Sequence, residues 1–138
     1  MTIKKEGFTL IELLVVITII GLLSSIVLVN VWSQRNMARD AKIKEQLHQV
    51  RNAAEFVNGY INVCDGDDTL SNQGDLGNLE KAIMGTNGDQ AVKCFVSVEG
   101  NNFAVSSPLI FKKGKYACTQ AAGATIEIDN QINSASCQ

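Results

Sequence analysis

The chain has 138 residues and a formal net charge of −2 at pH 7. This length fits one small domain and excludes a two-domain enzyme. A charge so close to neutral, with charged residues at 19%, argues against a surface built to bind nucleic acid. The hydrophobic share of 46% is ordinary for a soluble domain, but it is unevenly distributed, because no charged residue occurs from Leu13 to Gln34.

Phe8 to Val29 forms an apolar run that contains one charged residue, Glu12. A helix that spans a bilayer needs ~20 mostly apolar residues, so this run predicts a single membrane-spanning helix. Lys4 and Lys5 precede it and are expected to stay on the cytoplasmic side, which puts the rest of the chain outside. A cleaved secretory signal is the alternative, but the run is long for one and no Ala-x-Ala site ends it.

The helical pattern continues beyond the apolar run. No proline interrupts residues 8–61, so one helix of ~80 Å is expected. A small domain cannot bury a helix of that length, and its first half must therefore be buried in lipid or against other copies of the chain. In the second half, apolar residues recur at spacings of three and four, which predicts one amphipathic face: Ile43, Leu47, Val50, Ala54, Val57 and Ile61.

The composition changes after Cys64, where turn-forming residues become frequent. A loop is expected over 62–91, with a short helix at Leu76 to Met84. Short strand-like runs follow and predict a small antiparallel sheet packed on the amphipathic face: Val92 to Val98, Phe103 to Ser107, Leu109 to Phe111, Tyr116 to Thr119 and Ala124 to Ile128. The predicted fold class is α+β, with a long N-terminal α-helix whose C-terminal half packs on a small antiparallel β-sheet.

All four cysteines lie on the outward side of the proposed membrane helix. An even number of cysteines outside the cytoplasm predicts disulfides. Three pairings are possible. We favour Cys64–Cys94, which would tie the end of the long helix to the first strand, and Cys118–Cys137, which would close the C-terminal segment onto the sheet. Zinc is not indicated, because no Cys-x-x-Cys pair occurs and His48 has no partner motif.

The segment Gly7-Phe8-Thr9-Leu10-Ile11-Glu12, with its short basic leader and the apolar helix that follows, resembles the processing site of type IV prepilins and type II secretion pseudopilins. The resemblance implies that a membrane aspartic peptidase cuts after Gly7 on the cytoplasmic side and methylates the new amino group of Phe8. It divides the chain into a leader at 1–7, a membrane or filament-core helix half at 8–31 and a globular head at 32–138. The head comprises the amphipathic helix half to about 61, the loop 62–91 and the disulfide-closed sheet region 92–138.

The same resemblance implies a structural subunit and not an enzyme. The subunit would be a prepilin whose mature form polymerises into an extracellular type IV pilus; the alternative is a pseudopilin that forms a short periplasmic filament for type II secretion. Its expected partners are other copies of the chain in a helical filament, the prepilin peptidase and an inner-membrane assembly platform. The precursor is expected in the bacterial inner membrane, with its C-terminal head outside. The sequence contains no nucleophile–base pair, paired carboxylates or phosphate loop that would indicate catalysis.

Glu12 is a carboxylate inside an apolar run, and an ionised, unpaired carboxylate in the bilayer centre costs about 3 kcal/mol. We expect its partner to be the amine of Phe8 that the cut releases, on a neighbouring subunit, so that the pair sets the axial register of a filament. The alternative is that Glu12 extends to the cytoplasmic interface and serves no further purpose.

Two polar clusters complete the list of candidates. Three acidic residues form a weak Ca²⁺ candidate whose spacing does not match an EF-hand loop, so a solvated turn is preferred: Asp65, Asp67 and Asp68. Three lysines form a basic tip that is more typical of a solvated hairpin end than of a DNA-binding or adhesive contact: Lys112, Lys113 and Lys115. No resident cofactor is expected.

Overall fold

A computed structural model describes residues 7–57, 59–66 and 68–138, apart from the side chain of Val29. The elements in chain order are α1 (Leu10–Ala54), a 3₁₀ turn (Tyr60–Asn62), α2 (Leu76–Asn87), β1 (Lys93–Val96), β2 (Phe103–Pro108), β3 (Tyr116–Gln120) and β4 (Ile126–Ile128). The chain divides into two compact units, the first ending at Arg35 and the second running from Asn36 to Gln138. The predicted α+β class is confirmed.

The first unit presents apolar surface on every side of the helix. Its large apolar side chains from Leu10 to Leu28 are between 46% and 82% exposed. The hydroxyls of this segment are satisfied within the helix: Ser24 Oγ donates to the Ile20 carbonyl at 2.7 Å and Ser25 Oγ to the Gly21 carbonyl at 2.7 Å. A helix whose polar groups are satisfied internally and whose surface is apolar has the form that hydrocarbon requires.

In the second unit, α1 packs its apolar stripe into the core. The stripe residues Ile43, Leu47, Val50 and Ala54 are fully buried and join one cluster with residues of α2 and the sheet. Burial of a Leu, Ile or Val side chain stabilises a fold by about 1.5–3 kcal/mol. The amphipathic periodicity thus identified the packed face of this part of the helix.

The end of α1 differs from the prediction, because the helix stops at Ala54 and does not reach Ile61. The next three amides, those of Glu55, Phe56 and Val57, donate to carbonyls only three residues earlier, at 3.1–3.3 Å. Gly59 then adopts φ 78°, ψ 144°, which takes the chain out of helical geometry. Ile61 is consequently 63% exposed. The apolar spacing therefore continues past the end of the helix, and by Gly59 the chain has a positive φ, which favours glycine.

The sheet is antiparallel throughout, in the order β1-β2-β3-β4. The predicted strand at Leu109 to Phe111 is wrong: these residues form the hairpin loop between β2 and β3. Leu109 N–H still pairs with the Lys115 carbonyl at 3.0 Å, but the amides of Ile110 and Phe111 donate to the Asp40 carboxylate on α1. A side chain from another element therefore takes the hydrogen bonds that a neighbouring strand would need.

Both faces of the sheet are covered. Alternate residues of β1, β2 and β3 point into the core beneath α1: Cys94, Val105 and Ala117. Residues on the opposite face form a second cluster with Ile132 of the C-terminal segment: Ala104, Cys118 and Ile128. That segment is also held by a hydrogen bond from Cys137 N–H to Gln120 Oε1 at 3.1 Å. The C-terminal segment therefore covers the face of the sheet that lies opposite α1.

Candidate functional site: the N-terminal processing and assembly segment

The Gly7–Phe8 bond lies in non-helical chain just before α1. A Cβ placed on Gly7 would have no atom within 4 Å, and Phe8 is 80% exposed. The bond is therefore open to an enzyme in the part of the chain that the structure describes. The remainder of the proposed leader, with Lys4 and Lys5, lies outside the described residues.

Thr9 and Glu12 form a reciprocal cap at the start of α1. Glu12 Oε2 accepts hydrogen bonds from Thr9 N–H at 2.8 Å and from Thr9 Oγ1 at 2.7 Å, while Glu12 N–H donates to Thr9 Oγ1 at 3.4 Å. This is a capping box, in which the residue before the helix and its third residue satisfy each other's polar groups. The sequence analysis missed it, although the Thr-x-x-Glu spacing ahead of an apolar run is its usual signal.

The cap satisfies hydrogen bonds but does not neutralise charge. None of the ion pairs between described residues involves Glu12. Its carboxylate is therefore held at the helix start by neutral donors and carries an uncompensated negative charge beside an apolar surface. The helix N-terminus itself favours an anion there, by about 0.3–1 kcal/mol. A cation brought to this point would meet a carboxylate that is already oriented.

The apolar surface of α1 begins where the capping box ends. The helix Leu10–Ala54 is long and apolar enough to cross a membrane, by length and composition, and the most apolar stretch has a mean hydropathy of 2.7. None of that stretch is buried within the chain. Lipid or another protein must cover it, because water does so only at a large free-energy cost.

The cysteines of the second unit form two disulfides, Cys64–Cys94 and Cys118–Cys137. These are the two pairs that the sequence analysis favoured. The first joins the loop after α1 to β1, and the second joins β3 to the C-terminal segment.

The weak Ca²⁺ candidate is only partly described, because Asp67 lies outside the described residues. Asp68 Oδ2 forms an ion pair with Lys93 Nζ at 3.3 Å. Asp65 lies near Glu80, whose pKa is raised. Burial is the main cause and the negative charge of Asp65 adds to it, while a hydrogen bond from the Leu70 amide opposes the shift. Among the described residues, no three His, Cys, Asp or Glu side chains are grouped so that they could hold a metal.

The basic tip is largely engaged within the second unit. Lys112 and Lys44 both bond to Glu127 of β4, with Nζ–Oε distances of 2.7 Å and 2.5 Å. These hydrogen bonds, first from Lys112 and then from Lys44, lower the pKa of Glu127 to about 2. Lys115 pairs with Asp129, which leaves Lys113 as the cation of the tip that has no partner within the described ranges.

Asp40 is a further polar residue that the sequence analysis did not identify. It is 6% exposed, and its two carboxylate oxygens accept hydrogen bonds from the backbone amides of three consecutive loop residues, Ile110, Phe111 and Lys112, at 2.7–3.2 Å. A carboxylate enclosed by successive backbone amides is a strong, charge-assisted arrangement. No local sequence signal reveals it, because donor and acceptor are about 70 residues apart in the chain.

An exposed apolar helix half and a small disulfide-bonded α+β unit are together consistent with a pilin-like fold. The family described as the prokaryotic N-terminal methylation motif matches residues 3–28, which include Gly7, Phe8 and Glu12. The chain therefore carries the N-terminal methylation signal of type IV pilin and pseudopilin precursors. Comparisons with curated proteins and with solved structures give no match.

Proposed function

We propose that this protein is a prepilin, cut after Gly7 and N-methylated at Phe8, whose mature form polymerises into an extracellular type IV pilus. The observation that carries the proposal is an open Gly7–Phe8 bond, within a methylation motif, directly ahead of a helix half whose large apolar side chains are exposed from Leu10 to Leu28. The protein acts as a structural subunit, held in the inner membrane as a single-pass precursor until the assembly platform extracts it.

The exposed helix supports assembly because it needs an apolar environment at every stage. In the membrane, lipid covers it; after extraction, only the helices of other copies offer a comparable surface. Moving apolar side chains from lipid to a helical core gains little, since both environments are equally dry. The charge of Glu12 therefore decides whether the subunit stays in the membrane or joins the filament. In a single subunit the carboxylate has no counter-ion, whereas in the filament it pairs with the Phe8 amine of a neighbouring subunit.

The capping box makes this idea testable with two substitutions at one position. Glu12→Gln keeps an oxygen acceptor for the Thr9 donors but removes the charge, whereas Glu12→Val removes both. If charge pairing drives assembly, both variants insert in the membrane and both fail to form filaments. If Glu12 serves only as a helix cap, Glu12→Gln assembles normally, and the pairing role is refuted.

Processing is tested separately from assembly. Gly7→Leu is expected to leave the precursor uncut, because the side chain blocks close approach to the bond, and Gly7→Ala is expected to be cut more slowly than the native chain. Mass spectrometry of the protein from its own cells should find N-methyl-Phe8 at the mature N-terminus. An N-terminus that still begins at Met1 would contradict the proposal.

The location of the filament distinguishes a type IV pilus from a type II secretion pseudopilus. Shearing cells and analysing the released material should recover abundant long filaments of this chain if it forms a pilus. Little sheared material, together with loss of protein secretion on deletion, would instead identify a pseudopilin of a type II secretion system. The two disulfides support either extracytoplasmic location, because such bonds persist in oxidising compartments.

A further inference from the structure

Two acidic side chains near the C-terminal end of α1 form no ion pair among the described residues. Glu55 lines a cleft with Gly100 and Asn101, and Asp75 lines another with Phe56. At another place in the unit, Arg39 and Lys113 line a cleft of about 440 Å³ beside the β2–β3 loop. Neither of these two cations pairs with any described acid. Asp75 and Lys113 thus lie at two separate clefts of the unit.

Asp75 also lines an open apolar groove between α1 and α2, which we name the α1–α2 groove. Its volume is about 500 Å³, its walls include Ala53, Phe56, Leu79 and Ala82, and its rim includes Asp75. Phe56 is 90% exposed. A large exposed aromatic beside apolar walls and a polar rim is typical of a contact surface.

Lys113 belongs to the hairpin loop of residues 109–115, which we name the basic loop and which carries a cation and an apolar side chain of its own. Phe111 is 42% exposed at this loop, and the unpaired Lys113 lies two residues further on. The Asp40 carboxylate holds the backbone of the loop. The loop is therefore ordered before it meets a partner, which lowers the entropic cost of binding.

We propose that the basic loop of one copy docks in the α1–α2 groove of the next copy, with Phe111 against Phe56 and Lys113 beside Asp75. The occupant is a second copy because the loop matches the groove in charge and in apolar content, and both belong to the same chain. A contact between two different surfaces of one chain repeats head to tail and generates an open helical array. The inference rests on the proposed function, since the filament provides that repetition.

The main test is a charge exchange in filaments sheared from cells that produce the full chain. Lys113→Glu and Asp75→Lys should each lower the yield of filaments about fivefold or more, and lower the salt concentration at which they dissociate, because like charges then face each other. The double variant should recover a yield within about twofold of the native chain, because the pair is restored with opposite orientation. Lys81→Glu, an exposed α2 residue outside the groove lining, makes the same change in net charge as Lys113→Glu and should leave the yield unchanged.

A second measurement needs no substitution, which matters because Asp75→Lys also places a cation at the start of α2. Carbodiimide treatment of native filaments should produce a cross-linked dimer in which a peptide containing Asp75 is joined to one containing Lys113. The proposed contact would be overturned if Lys113→Glu filaments were as abundant and as salt-resistant as native ones, or if the dimer lacked this cross-link. Either result would leave the filament role intact. Absence of any filament from the native chain would overturn both proposals.

Discussion

Replacing Asp40 with alanine should destabilise the second unit more than the loss of an ordinary surface carboxylate. The buried carboxylate accepts hydrogen bonds from three backbone amides at 2.7–3.2 Å. Each hydrogen bond to a charged group contributes about 1.5–3 kcal/mol. Ile110 is only part-buried and Phe111 and Lys112 are exposed, so water can replace part of what is lost. We therefore expect a total loss of about 3 kcal/mol in the free energy of unfolding, below the sum of three bonds.

Asp40→Asn provides an intermediate case. Its single oxygen can retain the acceptor position that serves Ile110 and Phe111, but its amide nitrogen would face the Lys112 N–H, donor against donor. The expected loss is about 1–2 kcal/mol. Glu45→Ala is the matched control, since Glu45 is an exposed acid on the same helix and its removal should cost less than about 0.5 kcal/mol.

The assay is thermal unfolding of the full chain in detergent, followed by near-ultraviolet circular dichroism. This signal reports Tyr60, whose ring packs against Phe103 in the core at 5.1 Å between centroids. For a unit of this size, about 3 kcal/mol corresponds to a fall in Tm of roughly 12 °C. Amide hydrogen exchange at Ile110 to Lys112 should accelerate as well. An Asp40→Ala variant that unfolds within about 1 °C of Glu45→Ala would refute the reasoning.

Three further predictions concern acid, packing and cross-linking. The folded-state pKa of Glu127 is about 2, against an ordinary value of 4.5, so its ion pairs stabilise the fold above about pH 4.5 and lose this effect as the pH falls towards 2. Because the side chain is partly exposed, the loss in the free energy of unfolding should be about 1 kcal/mol. Denaturant titrations of Glu127→Gln at different pH values should lack this part of the decrease in stability. Leu47→Ala should cost about 3 kcal/mol in the same titrations by leaving a cavity, against less than about 0.5 for the exposed Ile61→Ala, and equal effects would contradict the packing described. Replacing Cys118 and Cys137 together by serine should lower the free energy of unfolding by about 3 kcal/mol, and an unchanged value would show that the C-terminal segment is held by its other contacts.

The capping box gives Glu12 a role as a helix cap besides its negative charge. Glu12 has hydrogen-bond donors in Thr9, so its carboxylate is oriented at the helix start. Hydrogen bonds from neutral donors cannot replace a counter-ion in an apolar medium. We therefore expect Thr9→Val to weaken assembly less than Glu12→Gln, with filament yield as the measure. A larger defect in Thr9→Val would mean that the cap, and not the charge, matters most.

Local patterns in the sequence were sufficient for the features that depend on neighbours along the chain. The apolar run and the stripe predicted from Ile43 to Ile61 each depend on spacing along one helix. The structure confirms the helix as far as Ala54 and the burial of the stripe from Ile43 to Ala54, but Ile61 is exposed. The capping box could also have been read in this way, because Thr9 and Glu12 stand at the spacing that defines it.

Only the tertiary structure decided where elements end and which polar groups meet. The strand predicted at Leu109 to Phe111 became a loop because Asp40, distant in sequence, takes its amide hydrogens. The lysines of the basic tip looked equivalent in sequence, yet Lys112 and Lys115 form ion pairs with Glu127 and Asp129, whereas Lys113 forms none with the residues that the structure describes. Such outcomes depend on three-dimensional distances between remote residues, and a periodic pattern along one segment contains no information about those distances.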